Sequence, residues 1–209
     1  MVIAIDGPAG SGKSTIAKLL AEKKNFTYIN SGRLYRAITL ACLRAKIDLQ
    51  NSEKVIEIAK NLNISYEKDQ VFIDRENVTS LLHTDEIDRY SSPLSAIVPV
   101  RHIVNDMIRK LAQGMDIVIE GRDMTTVVFP DSKYRFYLDA SADSRAKRRF
   151  DQGVSNLSLE EIKNAILQRD DIDRNKAEGS LKIADGVHYL DTSDLTIIEV
   201  YDKLIEKTD

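Results

Sequence analysis

Short apolar runs alternate with amphipathic stretches along most of this chain. Five runs rich in β-branched and aromatic residues are typical of buried strands. They cover residues 2–5, 26–30, 116–120, 134–139 and 187–191. Apolar residues recur at helical spacing over residues 16–22, 33–45, 55–62, 100–113, 143–150, 159–171 and 195–204. Because strands alternate with helices, the pattern predicts an α/β fold whose five-stranded parallel sheet is flanked by helices.

One region departs from this alternation. Residues 64–66 and 71–73 have the pattern of two short strands around a polar turn, which predicts a small antiparallel hairpin. Such a hairpin does not belong to a parallel core, so we predict that residues 48–90 form an insertion that can cover a substrate. The segment Ser91-Ser92-Pro93 is then expected to break the chain before the next helix.

A glycine-rich segment joins the first predicted strand to the first predicted helix. It matches the phosphate-binding pattern G-x-x-x-x-G-K-[ST], in which glycines let successive amide groups point at phosphate oxygens. Lys13 is expected to reach the β- and γ-phosphates, and the Ser14 hydroxyl to bind Mg²⁺. Both flanking elements favour phosphate binding over a turn with an incidental lysine. The predicted nucleotide-binding residues are Gly7, Pro8, Ala9, Gly10, Ser11, Gly12, Lys13, Ser14 and Thr15.

Charged residues follow other predicted strands at the same edge of the sheet. Gly121-Arg122-Asp123 ends the third strand, and Arg145, Arg148 and Arg149 share one helix face. Each group by itself is typical of a solvated helix or a structural ion pair. Beside a phosphate loop, however, arginines that close over a transferred phosphoryl group are expected. We therefore predict a lid whose tip is residues 152–156.

Composition narrows the possible partners. The net charge of −3 over 209 residues argues against general binding to nucleic acid or anionic membranes, which requires a strong basic excess. The sequence has no leader pattern and no long apolar segment, so we expect a cytoplasmic protein. The single cysteine, Cys42, excludes an internal disulfide and is expected to be a core residue.

Taken together, these motifs resemble those of the bacterial cytidylate kinases, within the nucleoside monophosphate kinase superfamily. The resemblance runs nearly end to end. Its most specific block is G-R-D-M-T-T-V-V-F-P at residues 121–130, whereas many families share the phosphate loop. Other matching segments are residues 5–15, 31–32, 35–36, 92, 95–97, 100–101, 138–142, 145, 148–149, 169–171 and 173–175.

The resemblance implies a single kinase domain with a P-loop NTPase-type core, which uses ATP and Mg²⁺ to phosphorylate CMP or dCMP. It implies a core at residues 1–47, 91–144 and 172–209, an acceptor-binding insertion at 48–90, and a short lid at 145–171. The implied state is a monomer without nucleic-acid or membrane partners. The implied catalytic residues are Lys13, Arg122, Arg145 and Arg149. The implied acceptor-binding residues are Ser31, Gly32, Tyr35, Arg36, Ser92, Arg101, Arg122, Asp123, Arg169, Asp173 and Lys176.

Four positions, Asn30, Thr125, Ile172 and Lys176, depart from what is common in that family. A lysine at 176 keeps the charge of arginine but lacks its planar fork, so acceptor contacts there are expected to differ. The alternatives are a P-loop kinase for another acceptor, such as UMP or shikimate, a nucleotide-binding protein without catalysis, and a GTP-driven switch. The last is disfavoured because residues 175–178 lack the final Asp of N-K-x-D and no D-x-x-G occurs.

Overall fold

A five-stranded parallel sheet lies at the centre of this computed structural model, which describes residues 1–67, 69–153 and 157–208. In chain order, the strands are β1 (Val2–Asp6), β2 (Thr27–Asn30), β3 (Ile64–Glu67), β4 (Gln70–Ile73), β5 (Glu76–Asn77), β6 (Ile117–Gly121), β7 (Tyr134–Asp139) and β8 (His188–Asp191). The central sheet has the order β2-β6-β1-β7-β8 with every neighbouring pair parallel. The α/β class and the parallel sheet are therefore confirmed.

Helices cover both faces of the sheet. They are α1 (Lys13–Lys24), α2 (Ser31–Arg44), α3 (Ser52–Asn61), α4 (Asp85–Leu94), α5 (Val98–Leu111), α6 (Ala142–Asp151), α7 (Leu159–Asn175) and α8 (Ile197–Thr208). Side chains of β1 alternate between the two faces of the sheet, and each face has its own hydrophobic cluster. Ile3 and Ile5 pack with residues of α1 and α8, whereas Ala4 packs with residues of α2, α3 and α5. Within the described ranges, no helix is both long and apolar enough to cross a membrane.

The antiparallel hairpin forms as predicted, and a third short strand extends it. β3 pairs with β4 from Ile64 opposite Ile73 to Glu67 opposite Gln70, and β5 adds to the outer edge of β4. The turn at Asp69 is tied to the core, because its carboxylate accepts from Arg33 at 2.6 Å and from Lys18 at 2.8 Å. Lys18 belongs to α1 and Arg33 to α2, so these contacts hold the small antiparallel sheet against both helices.

Residues 91–93 do not break the chain, contrary to the expectation. Helix α4 continues through Pro93 and ends at Leu94. Proline is tolerated there because it lies in the last turn, where the loss of one backbone hydrogen bond affects little of the helix. Helix α7 is also longer than predicted and carries Asp173 and Arg174 on its last turn.

Helices α6 and α7 pack against each other through Ala146, Ile162 and Ile166. A capping box formed by Ser158 and Glu161 fixes the start of α7. Of the predicted lid tip, residues 154–156 lie outside the described residues. The division of the chain into core, insertion and lid stays a prediction.

Asp6 connects the end of β1 to the chain beyond β6. Its buried carboxylate accepts hydrogen bonds from the backbone N–H of Met124 at 2.9 Å, the backbone N–H of Thr125 at 2.7 Å and the Thr125 hydroxyl at 2.6 Å. These bonds hold a π-helical turn over Met124–Val128. Burial raises the pKa of Asp6 to about 6, although the bonds from Thr125 oppose this rise.

We expect Thr125→Val to lower the free energy of unfolding by about 1–3 kcal/mol near pH 8, because an ionised buried carboxylate loses a hydrogen bond. Near pH 5 the loss is smaller, since Asp6 is then protonated. In the wild type, folding raises this pKa above that of the unfolded chain, so Asp6's contribution to stability is present at low pH and is lost as pH rises through about 6.

Thr126→Val is the matched control, because the Thr126 hydroxyl oxygen is buried without a hydrogen-bond partner among the described residues. Chemical denaturation of both variants at the two pH values measures the difference. Equal destabilisation by the two substitutions would contradict the role given to Thr125.

Candidate active site

The phosphate loop lies between β1 and α1, as predicted. Gly12 caps α1 with a left-handed φ of 89°, which an L side chain would strain. A Cβ on Gly7 would overlap the carbonyl oxygen of Leu138, so only glycine fits against β7. The loop therefore needs its glycines to bring its backbone close to the sheet and to the start of the helix.

Lys13 is buried inside this loop. Its ammonium donates to the Pro8 carbonyl at 2.6 Å and to the Ser11 hydroxyl at 3.3 Å. Burial lowers the pKa of Lys13 to about 7, and the charge of Arg122 contributes to this lowering. The environment is thus short of negative charge, which a phosphate chain would supply.

We expect nucleotide binding to be accompanied by proton uptake. At about pH 7.5 a lysine of pKa near 7 is roughly three-quarters neutral, and nearby phosphates return it to the charged form. Binding of ATP should therefore take up roughly three-quarters of a proton at Lys13, measured by calorimetry in buffers of different ionisation enthalpy.

Lys13→Met supplies the control for this measurement, because it removes the titrating group. Its proton uptake should be lower than that of the wild type by this amount. The same uptake in both proteins would assign the proton to another group.

Buried ion pairs line a second region at the carboxyl ends of the strands. The Arg101 guanidinium pairs with Asp123, and the two side chains are almost fully buried. The Arg122 Nε donates to Asp173 at 2.6 Å. Burial alone would raise the pKa of Asp173, but Arg122, Lys176 and Arg169 hold it well below its ordinary value.

Lys176 belongs to the same network. Its ammonium donates to the second Asp173 oxygen at 2.6 Å and to the Ser95 hydroxyl at 2.8 Å. Nearby, the Arg101 guanidinium lies 5.8 Å from the centre of the Tyr35 ring, and Ser31 is buried at the start of α2. The structure thus brings six of the predicted acceptor residues into one network: Tyr35, Arg101, Arg122, Asp123, Asp173 and Lys176.

Arginines concentrate positive charge between the two regions. Burial lowers the pKa of Arg169 to about 10, and the charges of Arg122 and Arg36 add to this effect. Arg122 also acts on Lys13, so the cationic groups extend from the acceptor region to the phosphate loop. Arg36 is held by Asp88 of α4, whose carboxylate accepts from its Nε at 3.0 Å.

The arginines of α6 have different partners, although they share a helix face. Arg145 is buried and donates to the carbonyls of Ala140 at 2.9 Å and Ala9 at 3.0 Å, and it lies 2.7 Å from an Asp170 oxygen. Arg148 donates to the Thr192 hydroxyl at 3.1 Å. Arg149 is more exposed and lies 3.7 Å from Asp88. Arg145 thus contacts the phosphate loop directly, whereas Arg149 is near the acceptor region.

Sequence reasoning missed several residues of this site. Asp88 joins Arg36 to Arg149, Asp170 pairs with Arg145, and Ser95 accepts from Lys176. Ser95 and Asp170 lie in segments that carry the family resemblance, residues 95–97 and 169–171, but neither was given a role, and Asp88 lies outside any motif. For Asp170 one signal was available, because it lies in the dense charged run at residues 169–174.

The donor set around the loop fits a metal that arrives with its nucleotide. Among residues 1–67, 69–153 and 157–208, no group of three or more His, Cys, Asp or Glu side chains could hold a metal ion. Ser14 is exposed at the start of α1, and Glu120 is the penultimate residue of β6, next to β1, where its charge acts on Lys13. Mg²⁺ commonly binds through few protein oxygens, phosphates and water.

Comparisons with known proteins agree over the whole chain. A protein-family model described as cytidylate kinase matches residues 3–209. A cytidylate kinase of Caldanaerobacter subterraneus subsp. tengcongensis is 42% identical over 207 residues, which cover 98% of this chain and 92% of that protein. A cytidylate kinase of Clostridioides difficile is 38% identical over 210 residues, which cover 99% of this chain and 97% of that protein.

Solved structures resemble this chain in fold at low sequence identity. A shikimate kinase from Bacteroides thetaiotaomicron has a TM-score of 0.50 and 14% identity, over 99% of this chain and 97% of that one. An uncharacterized protein from Eubacterium ventriosum has a TM-score of 0.56 and 14% identity, over 99% of this chain and 96% of that one. These likenesses concern the fold alone, and they agree with the predicted P-loop kinase core.

Proposed function

This chain belongs to the cytidylate kinase family, and on that premise we propose that it transfers the γ-phosphoryl group of ATP to CMP or dCMP, giving ADP and CDP or dCDP. Membership makes the protein a nucleoside monophosphate kinase, with small nucleotides as substrates and ATP as phosphoryl donor. The roles of individual residues, the metal and the location in the cell are the further parts of this proposal.

The observation that supports these roles is the continuity of cationic groups between the phosphate loop and the acceptor region. The charge of Arg122 acts on Lys13 in the loop and also on Arg169 in the acceptor region. Two polar atoms there, the Arg169 Nε and the Ser92 hydroxyl oxygen, are buried without a hydrogen-bond partner among the described residues. A phosphate and a ribose bound at this position would satisfy such groups.

In the proposed mechanism, the loop amides and Lys13 hold the phosphoryl donor. Arg36, Arg122 and Arg169 hold the acceptor phosphate in line with it, and Arg145 fixes the loop through the Ala9 carbonyl. Catalysis is then positioning and charge stabilisation, because the attacking phosphate oxygen is already anionic and needs no general base. Arg149, the more exposed lid arginine, would close over the transferred group and help exclude water.

The nucleoside is proposed to lie beside the buried pairs of the acceptor region. Carboxylates such as Asp123 and Asp173 can accept hydrogen bonds from the exocyclic amine of cytosine or from ribose hydroxyls. Each is already fixed by a cation, Asp123 by Arg101 and Asp173 by Arg122. Such preorganised oxygens favour an amino-bearing base over uracil, which presents a carbonyl at that place.

We further propose that Mg²⁺ would be held by the Ser14 hydroxyl and the phosphates of the nucleotide, with Glu120 as a carboxylate whose charge already acts on this region. When bound, the ion neutralises charge on the phosphoryl donor. We also propose that the enzyme acts as a monomer in the cytoplasm, without nucleic-acid or membrane partners. Its mild net charge of −3 supports the absence of such partners.

A panel of acceptors tests the proposed function. ADP release should be fast with CMP and dCMP and at least about tenfold slower, as kcat/KM, with UMP, AMP or shikimate, because the fixed carboxylates discriminate between bases. Preference for UMP or shikimate would identify a different kinase. GTP binding without acceptor-dependent turnover would favour a switch protein.

A further inference from the structure

Ser95 lies at the junction of α4 and α5, and it is not among the residues assigned above to the substrate. Its side chain is buried. The backbone carbonyl accepts from Arg101 at 2.9 Å, and the hydroxyl donates its single hydrogen to the Ser92 carbonyl at 2.7 Å. The hydroxyl oxygen is therefore oriented as an acceptor towards whatever donor lies on its other side.

That donor is the Lys176 ammonium, 2.8 Å from the Ser95 oxygen. The same ammonium donates to one Asp173 oxygen at 2.6 Å, and the other Asp173 oxygen accepts from Arg122 at 2.6 Å. A continuous set of hydrogen bonds thus runs from Ser95 through Lys176 and Asp173 to Arg122. Any movement of the ammonium would be passed to the carboxylate that Arg122 shares.

The charges that face Lys176 come from three elements. Asp173 lies on α7 and favours the charged ammonium, whereas Arg101 on α5 and Arg122 after β6 oppose it. Asp123 lies beyond Arg101 and partly balances it. Burial is the largest effect, and together with the arginines it lowers the pKa of Lys176 below its ordinary value. An ammonium in this position depends on each oxygen that accepts from it.

We propose that Ser95 is a positioning residue of the acceptor site, whose hydroxyl holds the Lys176 ammonium against Asp173. A lysine is a compact charge on a flexible stem and lacks the preorganised fork of an arginine, so the second oxygen fixes its place. Ser95 acts on the substrate only through Lys176. This inference rests on the proposed function as far as catalysis is concerned, but the bond between Ser95 and Lys176 can be tested without turnover.

Ser95→Ala is the variant that removes the hydroxyl. We expect the KM for CMP to rise roughly tenfold, because a hydrogen bond to a charged group is lost, while the KM for ATP stays within about twofold. Ser91→Ala is the control, since Ser91 is a buried serine one turn earlier whose hydroxyl, among the residues that the structure describes, makes only a long bond to the Asp88 carbonyl, at 3.4 Å. Thermal unfolding of both variants verifies that they are folded.

The pH profile separates positioning from a merely structural role. With ATP saturating, the alkaline limb of kcat/KM for CMP should move to lower pH by about one unit in Ser95→Ala, because loss of an acceptor favours the neutral amine. A guanidinium does not titrate in this range, so the alkaline limb should be absent from the Lys176→Arg variant. Adding Ser95→Ala to that variant should leave the limb absent. If Ser95→Ala behaves like Ser91→Ala, or shifts the limb equally in the Lys176→Arg background, the proposal is wrong.

A titration by NMR of the lysine side chains tests the bond directly. The Lys176 signal is assigned by its loss in Lys176→Arg, and its pKa should be lower in Ser95→Ala than in the wild type. An unchanged Lys176 titration would overturn the proposal. If the wild type failed to phosphorylate CMP, the proposed function would fail while this titration still decided the role of Ser95.

Discussion

Lys13→Met is expected to reduce kcat by at least about 10²–10³-fold. The ammonium lies inside the phosphate loop, where burial and the charge of Arg122 outweigh the opposing charges of Glu120 and Asp6. Removal of a preorganised charge from the transferred phosphoryl group has effects of this size in other enzymes. Steady-state ADP release with CMP measures it, and the folded state is verified by circular dichroism.

Lys23→Met is the matched control for Lys13→Met. Lys23 lies in the last turn of the same helix and is exposed, so its loss should leave kcat within about twofold. A Lys13→Met protein with the turnover of this control would remove the basis of the proposed mechanism.

Arg122→Gln should lower kcat/KM for CMP by roughly 10²–10³-fold while the KM for ATP changes only a few-fold. The substitution removes the group proposed to hold the acceptor phosphate, and it leaves the buried Asp173 with one cation fewer. Loss of one partner from a buried, hydrogen-bonded charge pair commonly has effects of this size. Separate titrations of CMP and ATP distinguish the two KM values.

Arg44→Gln is the control for Arg122→Gln, since Arg44 forms an exposed ion pair with Glu76 away from the phosphate loop. Surface ion pairs contribute little, so its kinetics should stay near those of the wild type. Equal losses in the affinities for CMP and ATP upon Arg122→Gln would place Arg122 outside the acceptor site.

The elements that sequence predicted best were those whose pattern is local. Strand β7 has the predicted bounds, because Tyr134–Asp139 is rich in aromatic and apolar residues and lies between two neighbouring strands. The phosphate loop was predictable from its glycines, whose left-handed conformations admit few other residues. The hairpin was predicted from two short strands around a polar turn, but the two-residue strand β5 was too short for any periodicity to reveal it.

Features that depend on packing between distant segments could not be predicted. Helix α4 was missed because Ser91-Ser92-Pro93 was interpreted as a break, although a proline in a last turn is compatible with the helix. Asp88 lies on that helix, and Ser95 follows its last residue. Their partners in the site are remote in sequence: Arg36 and Arg149 for Asp88, and Lys176 for Ser95. The resemblance supplied Arg101 and Asp123 as site residues, but only the structure shows that they pair with each other.

In the proposed mechanism, the phosphate loop and the acceptor region face each other as the two halves of one kinase site. The most direct measurement uses ATP labelled in its γ-phosphoryl group, incubated with an equimolar mixture of CMP and AMP and then separated into its products. We expect the label to appear in CDP, at the expense of ATP and with little in ADP formed from AMP. Label found mainly in inorganic phosphate, or transferred equally to both acceptors, would contradict it.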